Sequence, residues 1–488
     1  MDIHHTINFR SKRKYFLHLH LDITSLKSED RRMKSDLPQE VNHGIIHTFL
    51  QRGELEKMKE VGVGILGFGT VGAGVAQGLL EHRAVMADRL GVDIVLKKIA
   101  DLDITTDRGV AVPEGTLTTD AGAIISDDSI SIVVETIGGT GIAKKLVMDA
   151  LAAKKCVVTA NKKLLAEHGK EIFDLAAANG VDIYFGASVG GGIPIIRVLR
   201  EGLAGNEINT IHGILNGTCN YILTRMENEG KPFDEILKDA QKLGYAEANP
   251  SLDIDGFDTA HKACILAALA YGFQPTLEQV QVEGIRNLSG DDVKYAADFG
   301  YRIKLLACVA RDGGEVEVGV HPTLVPFSHM LANVNGVFNA AMVNGDMSDY
   351  TMYYGRGAGR APTASTVVAD IGDIARNIAQ GGARYARAVP TYGEGTVKLR
   401  EAGEITSRFY LRFMLADRPG VFGMVATALG KHGVSISAAS QKSSGEGNAP
   451  VPVVVLTHSS RTADLEAALA EIKASGAVSE DPVRLRML

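Results

Sequence analysis

The sequence predicts an α/β protein built on a doubly wound parallel sheet, and three observations predict it. Val61, Val63 and Ile65 alternate with Gly62 and Gly64 and run into Gly67-Phe68-Gly69-Thr70-Val71-Gly72. Further apolar strands at 93–100, 131–136 and 156–159 are separated by stretches with helical periodicity. From residue 408 the pattern becomes strand–helix–strand–strand–helix–strand. Alternation of strands and helices covers both faces of a parallel sheet, whereas the second order makes a smaller antiparallel, ferredoxin-like unit. Between the two, residues 186–380 mix strands with longer helices, notably 233–243 and 255–271, and read as an α+β domain.

Length and composition agree. The 488 residues leave room for about three domains at roughly 150 residues each. The apolar fraction is 45% and the charged fraction 22%, which excludes wholesale disorder and collagen-like structure. Lys and Arg number 51 against 58 Asp and Glu, so no basic excess points to nucleic acid or an anionic membrane. The four cysteines, Cys156, Cys219, Cys264 and Cys308, form no C-x-x-C pair and argue against a disulfide scaffold or a zinc site. No apolar run reaches about eighteen residues, so no transmembrane helix is expected. A soluble, cytoplasmic protein is the expectation.

Residues 1–57 stand apart. They hold six of the fourteen His and the basic cluster Lys12-Arg13-Lys14, without clean periodicity. They lack the apolar stretch of a secretory signal. A start upstream of the true one, with Met58 directly before the first strand, a disordered tail and a basic arm are the competing readings.

The first strand carries the first functional signal. G-x-G-x-x-G is weak alone, but here it follows an alternating strand and opens a helix, the setting of a Rossmann-type dinucleotide-binding domain over 58–185. Gly67 permits the tight turn, Gly69 lets a pyrophosphate approach the backbone, and Gly72 lets helix and strand pack closely. With Phe68, Thr70 and Val71 these residues open a helix whose free N–H groups face the phosphates. Asp101, ending the second strand, is placed to hold a ribose 2′-OH. No Arg adjoins it to receive a 2′-phosphate, which points to NAD over NADP without deciding between them. Thr136, at the end of the third strand, joins the cofactor set.

The densest polar cluster runs from Ala240 to Lys262. Pro250 and Gly256 mark a loop, and a helix then continues as an apolar core helix through Ala263, Leu266 and Ala267. Asp258 and Lys262, at i and i+4, share one face. That spacing alone fits a surface pair, but the apolar continuation predicts a partly buried Lys262 whose pKa burial would lower toward neutrality.

The run Ala240-x-x-x-Gly244-Tyr245-Ala246-x-x-Asn249-Pro250-x-x-Asp253-Ile254-x-Gly256-x-Asp258-x-x-x-Lys262 resembles the signature of homoserine dehydrogenase. Val158-Thr159-Ala160-Asn161-Lys162, Ala187-Ser188-Val189-Gly190-Gly191-Gly192-Ile193-Pro194, Leu215-Asn216-Gly217-Thr218-Cys219-Asn220-Tyr221, and Gly357-Ala358-Gly359 with Pro362-Thr363-Ala364-Ser365 agree, in order, from about 60 to 400. The resemblance implies reversible, NAD(P)-dependent interconversion of L-homoserine and L-aspartate 4-semialdehyde in threonine, methionine and isoleucine biosynthesis. It implies that Lys262 exchanges the proton at the substrate oxygen, with Lys162 as a second lysine near nicotinamide and substrate. Glu247, Asp253 and Asp258 become substrate-site acids, and Gly217 and Thr218 the loop facing the reacting carbon. Gly244, Gly357 and Lys162 become cofactor contacts. Residues 186–380 become the substrate-binding and dimerisation domain of a homodimer or homotetramer, followed by a return segment and linker at 381–407. Oxidising a primary alcohol requires loss of a proton as hydride leaves, and an ammonium substrate needs nearby carboxylates; two lysines among acids meet both needs.

Two departures matter. The family commonly has Glu where this chain has Gly186; that Glu completes a monovalent-cation site with backbone carbonyls matching Val189, Gly191 and Ile193, so a sodium site is short of a ligand. NADP-using members often carry Arg before the second-strand Asp, where Ala100 stands. Cys219 sits beside the substrate loop, but no activating base is evident, and it reads as a packed residue.

The strand–Asp417-Arg418-Pro419-Gly420-Val421–helix pattern in 408–488 resembles an ACT domain, read as a separate unit from Phe409. The implied ligand at Asp417, Pro419, Gly420 and Val421 is L-threonine as feedback inhibitor, with a purely structural ACT unit as the other reading. A catalytically silent amino-acid sensor is the alternative from another class, and the intact Lys162–Asp258–Lys262 set argues against it.

Overall fold

The computed structural model describes residues 58–381, 397–442 and 449–488. The extension at 1–57 lies outside the described residues, as does 382–396 of the return segment.

The first sheet has six strands: β1 (Glu60–Leu66), β2 (Asp93–Ala100), β3 (Leu117–Thr118), β4 (Ile130–Glu135), β5 (Cys156–Thr159) and β6 (Ile183–Tyr184). Their order is β3-β2-β1-β4-β5-β6, all parallel. Val61, Val63 and Ile65 of β1 are buried, and so are Val133 and Val134 of β4 and Val157 and Val158 of β5. Such near-continuous apolar runs suit strands covered on both faces. The strand order reverses between β1 and β4, which opens a crevice at their carboxyl ends. The helix Arg360–Gln380 returns to this sheet, with Ala364, Val367, Ile371 and Ile374 in its core. It lies against the helix Thr70–Glu81, where a Cβ on Gly74 would come within 3.0 Å of Ala364.

The second sheet is mixed. Its strands are β7 (Ile208–Ile214), β8 (Gln281–Val282), β9 (Tyr301–Asp312), β10 (Glu315–Pro326), β11 (Phe338–Gly345), β12 (Asp349–Arg356), β13 (Lys398–Leu399), β14 (Thr406–Ala416), β15 (Ile436–Gln441), β16 (Pro450–Thr457), β17 (Ser460–Arg461) and β18 (Val483–Met487). The main path runs β12-β11-β7-β9-β10-β18-β14-β16-β15. Alternation divides its faces: Ile303, Leu305, Ala307 and Val309 of β9 meet the helices Gly217–Glu229 and Phe257–Tyr271 in one core. Leu306 and Cys308 join a smaller cluster with Ile214 and Met342.

The C-terminal unit has the internal order β18-β14-β16-β15 of a ferredoxin-like sheet, which continues the sheet of the middle region. β18 pairs antiparallel with β14 and parallel with β10, through Thr323–Arg486 and Leu324–Met487. Phe409, Leu411, Phe413 and Leu415 face the unit's own helices Val421–Lys431 and Thr462–Ala474. Tyr410, Leu485 and Met487, on the other face, lie in the core of the middle region. At this joint two strand edges that would otherwise expose unpaired backbone complete each other. A buried ion pair reinforces the joint. Asp292, fully buried in the first turn of the helix Gly290–Asp298, accepts from Arg412 Nε at 2.7 Å, Arg412 Nη2 at 3.1 Å and Tyr410 Oη at 3.0 Å. Among the described residues no helix is long and apolar enough to cross a membrane.

Candidate active site

The glycine turn lies where the strand order reverses. Gly67 has φ +97° and donates its N–H to Ala100 O at 2.8 Å, which ties the loop to β2. A Cβ on Gly72 would sit 2.0 Å from Gly67 O and 2.8 Å from Thr136 Oγ1, so only glycine closes this turn. Around Gly69 nothing lies within 4 Å of such a carbon, which leaves the approach to the helix N-terminus open. Thr136 Oγ1 donates to Gly67 O at 2.9 Å. The Asp101 carboxylate accepts from Phe68 N at 2.5 Å and from Asp103 N at 2.9 Å, so it is held over the glycine turn. An open cradle of N–H groups beside a fixed acid fits a dinucleotide's pyrophosphate and ribose. Thr70 and Val71 begin the helix at this mouth.

Across the crevice, two neighbouring elements deliver lysines to one acid. Lys162 is the first residue of the helix Lys162–Asn179, capped by Asn161, whose side chain accepts from Leu164 N and donates to Gly139 O at 2.7 Å. Asp258 and Lys262 lie one turn apart on Phe257–Tyr271, and both are buried, at 4% and 8% exposure. Asp258 Oδ1 meets Lys162 Nζ at 2.9 Å, and Oδ2 meets Lys262 Nζ at 2.7 Å. Lys262 Nζ also donates to Leu215 O at 2.5 Å.

The electrostatics follow from burial and pairing. Burial alone would push the Asp258 carboxyl up; the Lys262 and Lys162 ammonium groups outweigh it and hold it well below the usual carboxylate range. Burial likewise works against the charge on Lys162, but Asp258, then Asp253 and Glu247, raise its pKa. Burial and the neighbouring charge of Asp258 push the Asp253 carboxyl up. Thr218 Oγ1 donates to Tyr245 O at 2.6 Å and approaches Asp253 Oδ2 at 3.2 Å. A Cβ on Gly217 would come 2.9 Å from Val337 O, so the loop packs closely.

The structure thus brings together Lys162, Lys262, Asp258, Asp253 and Thr218, with Gly217 beside them and Glu247 within electrostatic reach of Lys162. Gly244 has φ +74° in the turn before Tyr245, with nothing within 4 Å of a Cβ built there. Gly357 packs against Asn339 and Gly191. Cys219 is fully buried, its thiol pushed well above its usual range by burial and by Asp253 and Asp258, which suits a packed residue.

Three residues carry structure that single-sequence reasoning missed. Glu135, fully buried, accepts from Ile137 N, Gly138 N and Thr159 Oγ1 and so shapes the loop above β4. Asn161 caps the lysine helix. Asn216 donates to both Asp253 and Asp258. An acid closing an apolar strand was the only available signal, for Glu135.

The turn implied as a cation site does not fit one. Gly186 brings no carboxylate, and a Cβ there would lie 2.9 Å from Asp370 Oδ2 and from Thr366 Cγ2. Asp370 accepts from Gly186 N at 2.8 Å, and burial pushes its carboxyl up to about 7. Thr366 Oγ1 donates to Gly191 O at 2.8 Å, and Ile193 O accepts from Ile195 N at 2.8 Å; Val189 is buried in the same turn. In the C-terminal unit, Asp417, Pro419 and Gly420 form the turn into Val421–Lys431; Gly420 has φ +90°, and Asp417 accepts from Gln441 at 3.1 Å.

The comparisons with known proteins agree with this geometry. Residues 67–186 match the family model of the homoserine dehydrogenase NAD-binding domain, 194–371 that of homoserine dehydrogenase, and 409–477 that of the ACT domain. The homoserine dehydrogenase of Neisseria gonorrhoeae is 45% identical over 435 residues, covering 88% of this chain and 99% of its own length. That of Bacillus subtilis is 39% identical over 407 residues, covering 83% and 93%. A crystal structure of a homoserine dehydrogenase from Thiobacillus denitrificans superposes with a TM-score of 0.82 at 42% identity, over 88% of this chain and 99% of that one. A hyperthermophilic archaeal homoserine dehydrogenase in complex with NADPH gives 0.55 at 30% identity, over 64% and 96%.

Proposed function

The chain belongs to the homoserine dehydrogenase family, and on that premise we propose that Lys262 exchanges the proton at the substrate oxygen, with Lys162 beside it. It is an oxidoreductase with a nicotinamide-binding domain, an enzyme of L-homoserine and L-aspartate 4-semialdehyde. The observation that supports the roles of the lysines is the pair of ammonium groups on the two oxygens of one buried carboxylate, Asp258.

In reduction, Lys262 as ammonium gives a proton to the carbonyl oxygen as hydride reaches the carbon, and its charge stabilises the developing alkoxide. In oxidation the amine takes the hydroxyl proton back. The bound nicotinamide accepts or supplies the hydride. Asp258 and Leu215 O aim Lys262, and Asp258 orients Lys162, whose side chain is 34% exposed toward the crevice. Asp253 and Glu247 are the carboxylates offered to the substrate's ammonium, while Gly217 and Thr218 bring backbone and hydroxyl against it.

NAD is the proposed cofactor. A carboxylate fixed at Asp101 accepts a ribose 2′-OH and repels a 2′-phosphate. No cation step enters. The enzyme is proposed to act in the cytoplasm, as a homodimer or homotetramer, in threonine, methionine and isoleucine biosynthesis. L-Threonine is the proposed effector of the ACT domain, at the turn Asp417 to Val421.

The test follows NADH and NADPH oxidation with aspartate semialdehyde, for the intact chain and for Lys262→Ala, with and without threonine. Turnover that vanishes in the variant is expected, with NADH the faster cofactor and threonine inhibiting. No turnover by the folded intact chain would defeat the catalytic reading and favour a sensor; full turnover by Lys262→Ala would defeat the role of Lys262.

A further inference from the structure

Asn216 ends the loop after β7 and caps the helix Gly217–Glu229. It is only 5% exposed. Its Oδ1 accepts the N–H of Cys219 at 2.8 Å, which fixes the orientation of the amide, because only the carbonyl end can accept. The NH2 end is thereby turned toward the acids. It donates to Asp253 Oδ1 at 2.8 Å and to Asp258 Oδ2 at 2.8 Å. An amide nitrogen has two hydrogens, and each finds one carboxylate.

We infer that Asn216 is a positioning residue for the substrate-site acids: its amide, locked by the helix cap, bridges Asp253 and Asp258 and sets their spacing. The inference rests on the reading that these acids meet the substrate's ammonium. Two desolvated carboxylates sharing a site repel, and one of them takes up a proton unless donors hold both ionised. The groups facing the pair are few. Lys262, His261 and Asp258 come from Phe257–Tyr271, Lys162 from Lys162–Asn179, Thr218 and Cys219 from Gly217–Glu229, and Glu247 and Asp255 from the intervening loop. Both lysines spend their ion pairs on Asp258. Among the described residues Asp253 has no ammonium in contact, and with the Thr218 hydroxyl hydrogen given to Tyr245 O its side-chain donor is Asn216. Asn216 follows Leu215, whose carbonyl receives Lys262 Nζ, so two consecutive residues place the lysine by backbone and the acids by side chain.

Two substitutions separate the cap from the bridge, since Ser and Asp both cap helices well. Asn216→Ser keeps an oxygen for Cys219 N and removes the bridging donor. Asn216→Asp keeps the shape and adds a third carboxylate. In the full chain, both variants should fold and bind NADH as the parent does. The loss of hydrogen bonds to charged groups should lower kcat/KM for the semialdehyde by about 10- to 100-fold in Asn216→Ser, mostly through KM, and further in Asn216→Asp. The acid limb of the kcat/KM profile should move to higher pH, a shift that a merely structural role would not give. A folded Asn216→Ser variant with kcat/KM within about threefold of the parent, or with the limb unmoved, overturns the inference. Asp258→Asn is the control for the underlying reading. If it cripples turnover and Asn216→Ser does not, the inference fails alone; if Asp258→Asn leaves KM and kcat unchanged, the acid reading fails and the inference with it.

Discussion

Replacing Arg412 with Leu should destabilise the dehydrogenase as a whole rather than its C-terminal unit alone. Asp292 is fully buried and holds Arg412 through two N–H···O bonds of 2.7 and 3.1 Å. Removing one partner of such a pair leaves a buried charge without its counter-charge, at about 3–5 kcal/mol. Three hydrogen bonds to Asp292 would remain: Tyr410 Oη at 3.0 Å, Ser289 Oγ at 2.7 Å and Ser289 N at 3.3 Å. They place the effect near the lower end, at about 3 kcal/mol. For a cooperative unit of about 300–430 residues, at ~2.1 cal/mol/K each, this lowers Tm by roughly 3–5 °C. Calorimetry reads both the size and the unit affected. Because β18 is hydrogen-bonded to β10, the transition that carries the catalytic sheet should move with the C-terminal one. Combining Arg412→Leu with Asp292→Asn should cost less than the sum, with a coupling of about 1 kcal/mol or more. A shift under about 2 °C, strict additivity, or a small early transition with the main one unmoved would refute the reasoning.

Other outcomes follow from the same structure. Asp101→Ala should raise the NADPH-to-NADH ratio of kcat/KM by about 10-fold or more, since a fixed acid at the ribose is lost; an unchanged ratio in initial-rate assays contradicts its proposed role. Asp370, with a folded pKa of about 7, sits above its unfolded value, so the stability it contributes is full below about pH 4 and is lost as pH rises through 7. Asp370→Asn should therefore be the more stable protein at pH 8, by at most ~4 kcal/mol, and the melting curves should converge near pH 4; a pH-independent difference would count against it. Cys219 should resist alkylation at pH 8 in the folded chain and react once unfolded, as mass spectrometry of the modified peptide would record. Exchanging sodium or potassium for choline should leave kcat/KM within about twofold, because the Gly186 turn is held by Asp370 and Thr366.

The legible part of the fold is the part whose strands are buried on both faces. β4 and β5 carry nearly unbroken apolar runs, Ile132-Val133-Val134 ended by Glu135 and Cys156-Val157-Val158 ended by Thr159, and a sequence shows such runs directly. The alternation of Phe409, Leu411, Phe413 and Leu415 announced β14 in the same way. The middle sheet was harder. In β9 the stretch Leu305 to Val309 is buried on both sides, into two different cores, so no period of two survives to separate strand from helix. The pairing of β18 with β10 left no trace at all, because edge pairing is made by backbone groups that every residue carries.

The site divides along a similar line. Lys262 and Asp258 were legible because i and i+4 share a helix face in any context. Lys162 came only through resemblance: it starts a helix of the first domain, 96 residues before its acid in a chain of 488, and periodicity cannot span that. Its contact has a consequence beyond placement. Asp258 lies in the middle region, yet one of its two oxygens is satisfied by a lysine of the nucleotide-binding domain. A carboxylate this buried keeps its charge only while cations stay in contact. Opening the crevice far enough to part Lys162 from Asp258 would leave that acid to Lys262 and Asn216 alone. What is tied to the closeness of the two halves is therefore the placement of Lys162, whose counter-charge in contact is Asp258, while Lys262 stays on that acid from its own helix.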